Sequence, residues 1–137
     1  MYKLTSSWPH QDQLKVEWNL GKRCNYDCSY CPSFIHDNFS PHTDINLLEA
    51  TVDKLCEIGK PLRISLTGGE PCVHPDIEDL LEYFKRKNIF WVNLTTNGTR
   101  GYRWYLDHEM FFNHLVFSLH FEYDWTRIVD TIMKFYD

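Results

Sequence analysis

Nothing in the 137-residue chain approaches the roughly 20 consecutive apolar residues that a membrane-spanning helix requires. The opening segment, Met1-Tyr2-Lys3-Leu4-Thr5-Ser6-Ser7, has no apolar stretch of the kind a secretory signal carries. The expectation is a cytoplasmic protein with no membrane partner. Basic residues are also scarce, 14 Lys and Arg against 19 Asp and Glu, for a net charge of −5. A nucleic-acid binder usually has the opposite balance because it must neutralise phosphates, so that class of partner is not expected. Lys22-Arg23 and Lys85-Arg86-Lys87 are local basic clusters, the second suited to a solvated helix end. Cysteine is sparse and odd in number, with three of the five lying between positions 24 and 31. A secreted disulfide framework spreads an even number along the chain, so this distribution points to metal binding instead. The remainder, 43% hydrophobic and 24% charged, is ordinary globular usage with length enough for one core.

What is present is an alternation of periods. Leu14 to Leu20 alternates apolar and polar residues, the pattern of a strand, and ends at Gly21. Ile45, Leu48, Val52, Leu55 and Ile58 recur at three and four residues, giving a helix from about Asp44 that Gly59 and Pro61 terminate. A second strand spans Leu62 to Leu66. A second helix is expected from Pro75, with Asp76, Glu78 and Asp79 at its positive end and Lys85 to Lys87 at its negative end. Ile89 to Thr95 reads as a third strand, Tyr102 to Glu109 as a short helix, and Leu115 to Leu119 as a fourth strand. Ile128, Val129, Ile132 and Met133, with Phe135 or Tyr136, suggest a last helix. Strands alternating with helices imply βαβ units and a parallel sheet, so the fold class is α/β, with residues 1–13 as an arm and 14–137 as the core. The high aromatic fraction, 16%, falls mostly on apolar faces and reads as core.

Cys24-Asn25-Tyr26-Asp27-Cys28-Ser29-Tyr30-Cys31 has the spacing C-x-x-x-C-x-x-C, directly after the first strand. Thiolates on a short loop favour zinc, copper(I) or an iron–sulfur cluster. A tetrahedral zinc site needs a fourth ligand, for which His36, Cys56 and Cys72 are candidates. Three thiolates alone hold three irons of a cubane and leave the fourth open to a ligand. Both readings stand on spacing. A second motif, Thr67-Gly68-Gly69-Glu70-Pro71, follows the second strand. Its glycines allow close approach of a ligand to the backbone, and its carboxylate suits an ammonium group. By itself it is equally a tight strand-to-helix turn. Cys56 sits near the apolar helix face and Cys72 just past the turn, where small packed residues are the default. His74 belongs to the helix entry, while His120 is placed to face a pocket.

The two motifs together resemble those of the radical S-adenosylmethionine (radical SAM) superfamily. The resemblance implies a [4Fe–4S] cluster on Cys24, Cys28 and Cys31, with the amino and carboxylate groups of S-adenosylmethionine on the unique iron. It places Tyr30 near the adenine and assigns Gly68, Gly69 and Glu70 to the methionine ammonium. Less specifically, it brings Asn97 and Ser118, at the ends of the third and fourth strands, to the ribose or carboxylate; Asn97-Gly98 is equally a plain turn. Independently of the family, all four segments fall at the C-terminal ends of expected strands, where parallel α/β folds bind ligands.

The implied activity is that of an oxidoreductase-type radical enzyme: reductive cleavage of S-adenosylmethionine, then hydrogen abstraction from an unidentified substrate, a peptide or a small metabolite. It implies a low-potential donor of the ferredoxin or flavodoxin type, with Lys22 and Arg23 beside the cluster loop. The resemblance covers about residues 15 to 125 and about four βα units of the usual six, a partial barrel. The alternatives are a zinc- or cluster-binding structural module, an inactive fragment of a larger radical SAM enzyme, or a half-barrel completed by self-association or a partner chain. An open last strand is an edge that invites such pairing.

Overall fold

The computed structural model describes residues 12–135, so nearly all of the expected arm at 1–13, and Tyr136, lie outside the described residues. Four strands, β1 (Leu14–Asn19), β2 (Leu62–Thr67), β3 (Trp91–Thr96) and β4 (His114–Phe117), form one sheet in the order β1-β2-β3-β4. Every neighbouring pair is parallel. The helices α1 (Ile45–Cys56), α2 (Ile77–Arg86) and α3 (Tyr102–Asp107) connect them, and α4 (Trp125–Met133) follows β4. An order that steps across without reversal has no switch point in its middle, unlike a doubly wound sheet, and it is the winding of a partial α/β barrel.

Strand periodicity sorts the two faces of the sheet. Leu62, Ile64 and Leu66 of β2 are at most 3% exposed, whereas Arg63, Ser65 and Thr67 between them are half-buried. In register, Val16 lies beside Ile64, which lies beside Val92, so one apolar face runs across the strands. Against it pack Leu48 and Val52 of α1, Leu80, Leu81 and Phe84 of α2, and Tyr105 of α3. Each such side chain, fully buried, contributes about 2 kcal/mol of transfer free energy, which makes this face the source of the fold's stability. The opposite face carries Lys15, Glu17, Arg63, Ser65 and Asn93, with the Arg63 guanidinium 4.8 Å from the centre of the Trp91 ring.

The helix boundaries shift slightly from those expected. Helix α2 starts at Ile77 rather than at Pro75, because the Asp76 N–H is taken by His74 Nδ1 (3.1 Å) in a separate turn. Strand β3 starts at Trp91 rather than Ile89, since the Ile89 N–H closes the end of α2 on Phe84 O. Helix α4 begins three residues before Ile128, at Trp125. The aromatic residues are less uniformly core than expected: Phe34, Phe39 and Phe121 are more than 70% exposed. Among the described residues, no helix is long and apolar enough to cross a membrane.

Candidate functional site

The C-terminal ends of the strands converge on one cavity of about 230 Å³. Cys24, Cys28 and Cys31 line it from the loop after β1, Gly68, Gly69 and Glu70 from the turn after β2, and Asn97 and Ser118 from beyond β3 and β4. All these sequence-identified residues therefore share one wall-to-wall space. Tyr30 does not. It is 59% exposed and outside the cavity lining, with its hydroxyl hydrogen-bonded to His120 Nδ1 at 2.5 Å. Tyr26, which the sequence did not single out, lines the cavity in its place and stacks on Tyr123 at 3.8 Å.

The glycines of the second motif are required by the neighbouring loop. A Cβ on Gly69 would stand 2.3 Å from the carbonyl oxygens of Lys22 and Arg23, and one on Gly68 would stand 2.6 Å from Gly21 O. Gly68 also has φ +133°, a conformation that side chains rarely allow. This close approach lets Gly69 N–H bond Gly21 O and Glu70 N–H bond Arg23 O, both at 2.9 Å. The β1–β2 pairing is thus carried past the strand ends into the cysteine loop, and Cys24 is fixed relative to the turn.

Glu70 is 3% exposed, and its carboxylate is the hub of the site. Oε1 accepts from Cys72 N–H (3.0 Å) and Thr96 Oγ1 (2.7 Å), and Oε2 accepts from Asn97 N–H (2.6 Å). The single Thr96 proton goes to this charged acceptor, so the Tyr105 hydroxyl donates to Thr96 Oγ1 at 3.0 Å. A carboxylate has about four lone-pair positions, so one on Oε2 stays open for an ammonium. The Asn97 side chain reaches the cysteine loop: Nδ2 donates to Asn25 Oδ1 at 2.8 Å, and Oδ1 accepts from the Thr99 hydroxyl at 2.8 Å. Ser118 is held by its N–H on Thr96 O (2.8 Å).

The donor chemistry fits an iron–sulfur cluster. All five cysteines are free, and the three of the motif share the cavity. Burial pushes the Cys24 thiol up, and the nearby Glu70, Cys28 and Cys31 add to this. A cation that takes the proton's place favours the thiolate of such a thiol, so ligation is coupled to deprotonation. Among the described residues, no three His, Cys, Asp or Glu groups are gathered as ligands of a single ion. Cys56 packs against the core from α1, and Cys72 is 1% exposed, its thiol raised chiefly by burial; neither lines the cavity. His74 is occupied at the helix entry by Thr43 O (2.9 Å), whereas His120 reaches the cavity with Nδ1 3.4 Å from Cys28 Sγ. Lys22 and Arg23 enter through their backbone carbonyls.

The family model of the radical SAM superfamily matches residues 18–120. The chain belongs to the radical SAM superfamily. Among its relatives in that superfamily is a probable GTP 3′,8-cyclase of Methanothermobacter thermautotrophicus. It is 34% identical over 89 residues, 63% of this chain and 28% of that protein. An Fe-coproporphyrin III synthase of Methanosarcina barkeri is 34% identical over 85 residues, 61% of this chain and 21% of the relative. An S-adenosylmethionine-dependent nucleotide dehydratase of Selenomonas ruminantium is 33% identical over 87 residues, 62% of this chain and 30% of the relative. The matched part is thus less than a third of each of these radical SAM relatives. The crystal structure of BtrN in complex with AdoMet and 2-DOIA superposes with a TM-score of 0.66 at 20% identity, covering 77% of this chain and 45% of that one. At that identity the likeness shows the fold, a partial α/β barrel.

Proposed function

We propose that Cys24, Cys28 and Cys31 hold a [4Fe–4S] cluster with one iron free of protein ligands, and that S-adenosylmethionine binds between it and the ends of β2 to β4. One observation carries this reading: the three thiols, the Gly68-Gly69-Glu70 turn and the polar ends of β3 and β4 line a single cavity. When bound, the cluster supplies the electron that cleaves the sulfonium carbon–sulfur bond and so starts hydrogen abstraction from a substrate. The chain's own part is to bind and orient. Gly69 and Glu70 fix the turn against the cysteine loop, and the open Oε2 position of Glu70 takes the methionine ammonium. The hydroxyls of Thr67, Thr95 and Ser118, all on the cavity wall, suit the polar groups of the cofactor.

The relatives' names cover a cyclase, a synthase and a dehydratase, although stretches of similar length in each match this chain. Shared chemistry in the matched part, with substrate choice elsewhere, accounts for that spread. The substrate is accordingly a small metabolite or a peptide, and the electron donor a low-potential ferredoxin- or flavodoxin-like protein. Among the described residues no strand pairs with the outer edge of β4, which suits completion of the barrel by a further strand, from a second copy or a partner chain. A zinc module is the competing reading, because His36 shares the cavity with the thiols.

Anaerobic incubation with iron, sulfide, a strong reductant and S-adenosylmethionine tests the proposal. Formation of 5′-deoxyadenosine and methionine in equal amounts is the expected result. Zinc retained without sulfide would favour the structural module. A cluster without any product would favour a catalytically incompetent fragment.

A further inference from the structure

Between Cys24 and Cys31 the backbone has neither helix nor strand, and Asn25, Asp27, Ser29 and Tyr30 are exposed. A loop of this kind presents three thiols in fixed positions only if something outside it removes its freedom. Its start is pinned to the turn after β2, as described above. Its middle, around Cys28, is pinned elsewhere. The N–H groups of Asp27 and Ser29 flank that cysteine, and both are taken by side chains more than ninety positions later. Asp27 N–H donates to the Tyr123 hydroxyl at 2.6 Å. Ser29 N–H donates to both oxygens of the Glu122 carboxylate at 3.0 and 3.2 Å, and the Ser29 hydroxyl donates to the same group. These are charge-assisted bonds, the stronger kind for an exposed site. The Tyr26 ring lies flat on Tyr123, and the Tyr30 hydroxyl is hydrogen-bonded to His120 Nδ1 at 2.5 Å.

We propose that His120, Glu122 and Tyr123, in the segment after β4, form a latch that holds the Cys24–Cys31 loop in its ligand-presenting shape, with Glu122 and Tyr123 as positioning residues. The proposal rests on the cluster reading above. The Ser29 bonds gather both Glu122 oxygens on one residue of the loop, and Glu122 itself is exposed, so its role there is orientation rather than packing. Outer contacts of this type orient metal ligands and govern how firmly a metal is held. The latch also ties the cysteine loop to β4, whose end contributes Ser118 and His120 to the cavity wall. The cluster ligands and the last strand are therefore positioned together.

The test uses the full chain with Glu122→Ala, Glu122→Gln, Tyr123→Phe and, as a control, Phe121→Ala. Phe121 is 73% exposed and its ring meets Trp125 rather than the loop. In the metal-free protein, amide hydrogen exchange at Ser29 is expected to accelerate about tenfold in Glu122→Ala, the loss of one charge-assisted hydrogen bond. Tyr123→Phe does the same at Asp27, and Glu122→Gln falls between wild type and Glu122→Ala. After reconstitution, Glu122→Ala and Tyr123→Phe lose iron–sulfur absorbance to a chelator faster than wild type, while Phe121→Ala matches it and all thermal midpoints stay close. Unchanged exchange at Ser29 in Glu122→Ala, or faster exchange with wild-type cluster retention, would overturn the latch. Should wild type itself take up no cluster, the cluster reading fails, and the exchange measurement alone still decides whether the latch orders the loop.

Discussion

The two loops that face each other across the cavity are built in opposite ways. The turn after β2 is buried: Glu70 and Cys72 are 3% and 1% exposed, and its carboxylate is satisfied by backbone and side-chain donors of the core. The cysteine loop lies at the surface, held at its start by backbone pairing and beyond it by side chains of distant segments. The first is part of the fold, and altering it costs stability. The second is an addition to the fold, and on the cluster reading altering it costs ligation. That contrast suits a site in which one wall is built into the core and the other is a surface loop held in shape by contacts from outside it.

The contrast is sharpened by substitutions on either side. Glu70→Ala strands three buried donors, and chemical denaturation is expected to show a loss of about 3 kcal/mol. Gly69→Ala drives a methyl group against two backbone carbonyls that cannot swing away, at a cost of about 2 kcal/mol in the same experiment. On the other side, Cys28→Ala is expected to change the stability of the metal-free chain by about 1 kcal/mol or less while abolishing cluster assembly. Cys56→Ala, on α1, keeps the cluster. Equal loss of iron from both cysteine variants would break the ligand assignment.

The smallest effect is expected far from the cavity, where Lys87 Nζ lies 2.6 Å from Asp53 Oδ1 and the Tyr83 hydroxyl donates to the same oxygen at 2.8 Å. The Lys87 ammonium, then Tyr83, hold the Asp53 carboxyl below its ordinary value of 3.8. A lowered carboxyl stabilises the fold above its unfolded pKa and loses that contribution as pH falls through the folded one. The stability difference between wild type and Asp53→Asn is therefore expected at neutral pH and should vanish in strong acid. Lys87 is raised above 10.5 chiefly by Asp53, so its share persists below that value and fades as pH rises past the folded pKa. A difference that grew on acidification would contradict the assignment.

The sheet was legible in the sequence because its signals are local. Alternation marked β1, and the spacing of Leu48, Val52, Leu80 and Phe84 marked the helix faces that bury them. The cysteine triplet and the glycine turn were equally legible as motifs, since their spacing is local, and the structure brings both to one cavity. Three aspects were hidden. The glycines at 68 and 69 pointed to a ligand, whereas the atoms a Cβ would strike belong to residues 19 to 23, a packing partner that spacing cannot name. Asn97 suggested a cofactor contact, yet its amide bonds Asn25 and Thr99. Glu122 and Tyr123 gave no signal at all, because a surface carboxylate and a tyrosine acquire their role only when the fold brings β4 beside β1's loop. Long-range polar contacts of this kind have no period to detect.

The central claim is that the three thiols hold a cluster with an iron left open. EPR of the anaerobically reconstituted, reduced chain, recorded with and without S-adenosylmethionine, tests it most directly. A [4Fe–4S]⁺ signal whose g values shift when S-adenosylmethionine is added is the predicted result. A reduced cluster signal indifferent to S-adenosylmethionine, or bound zinc in place of any cluster, would contradict it.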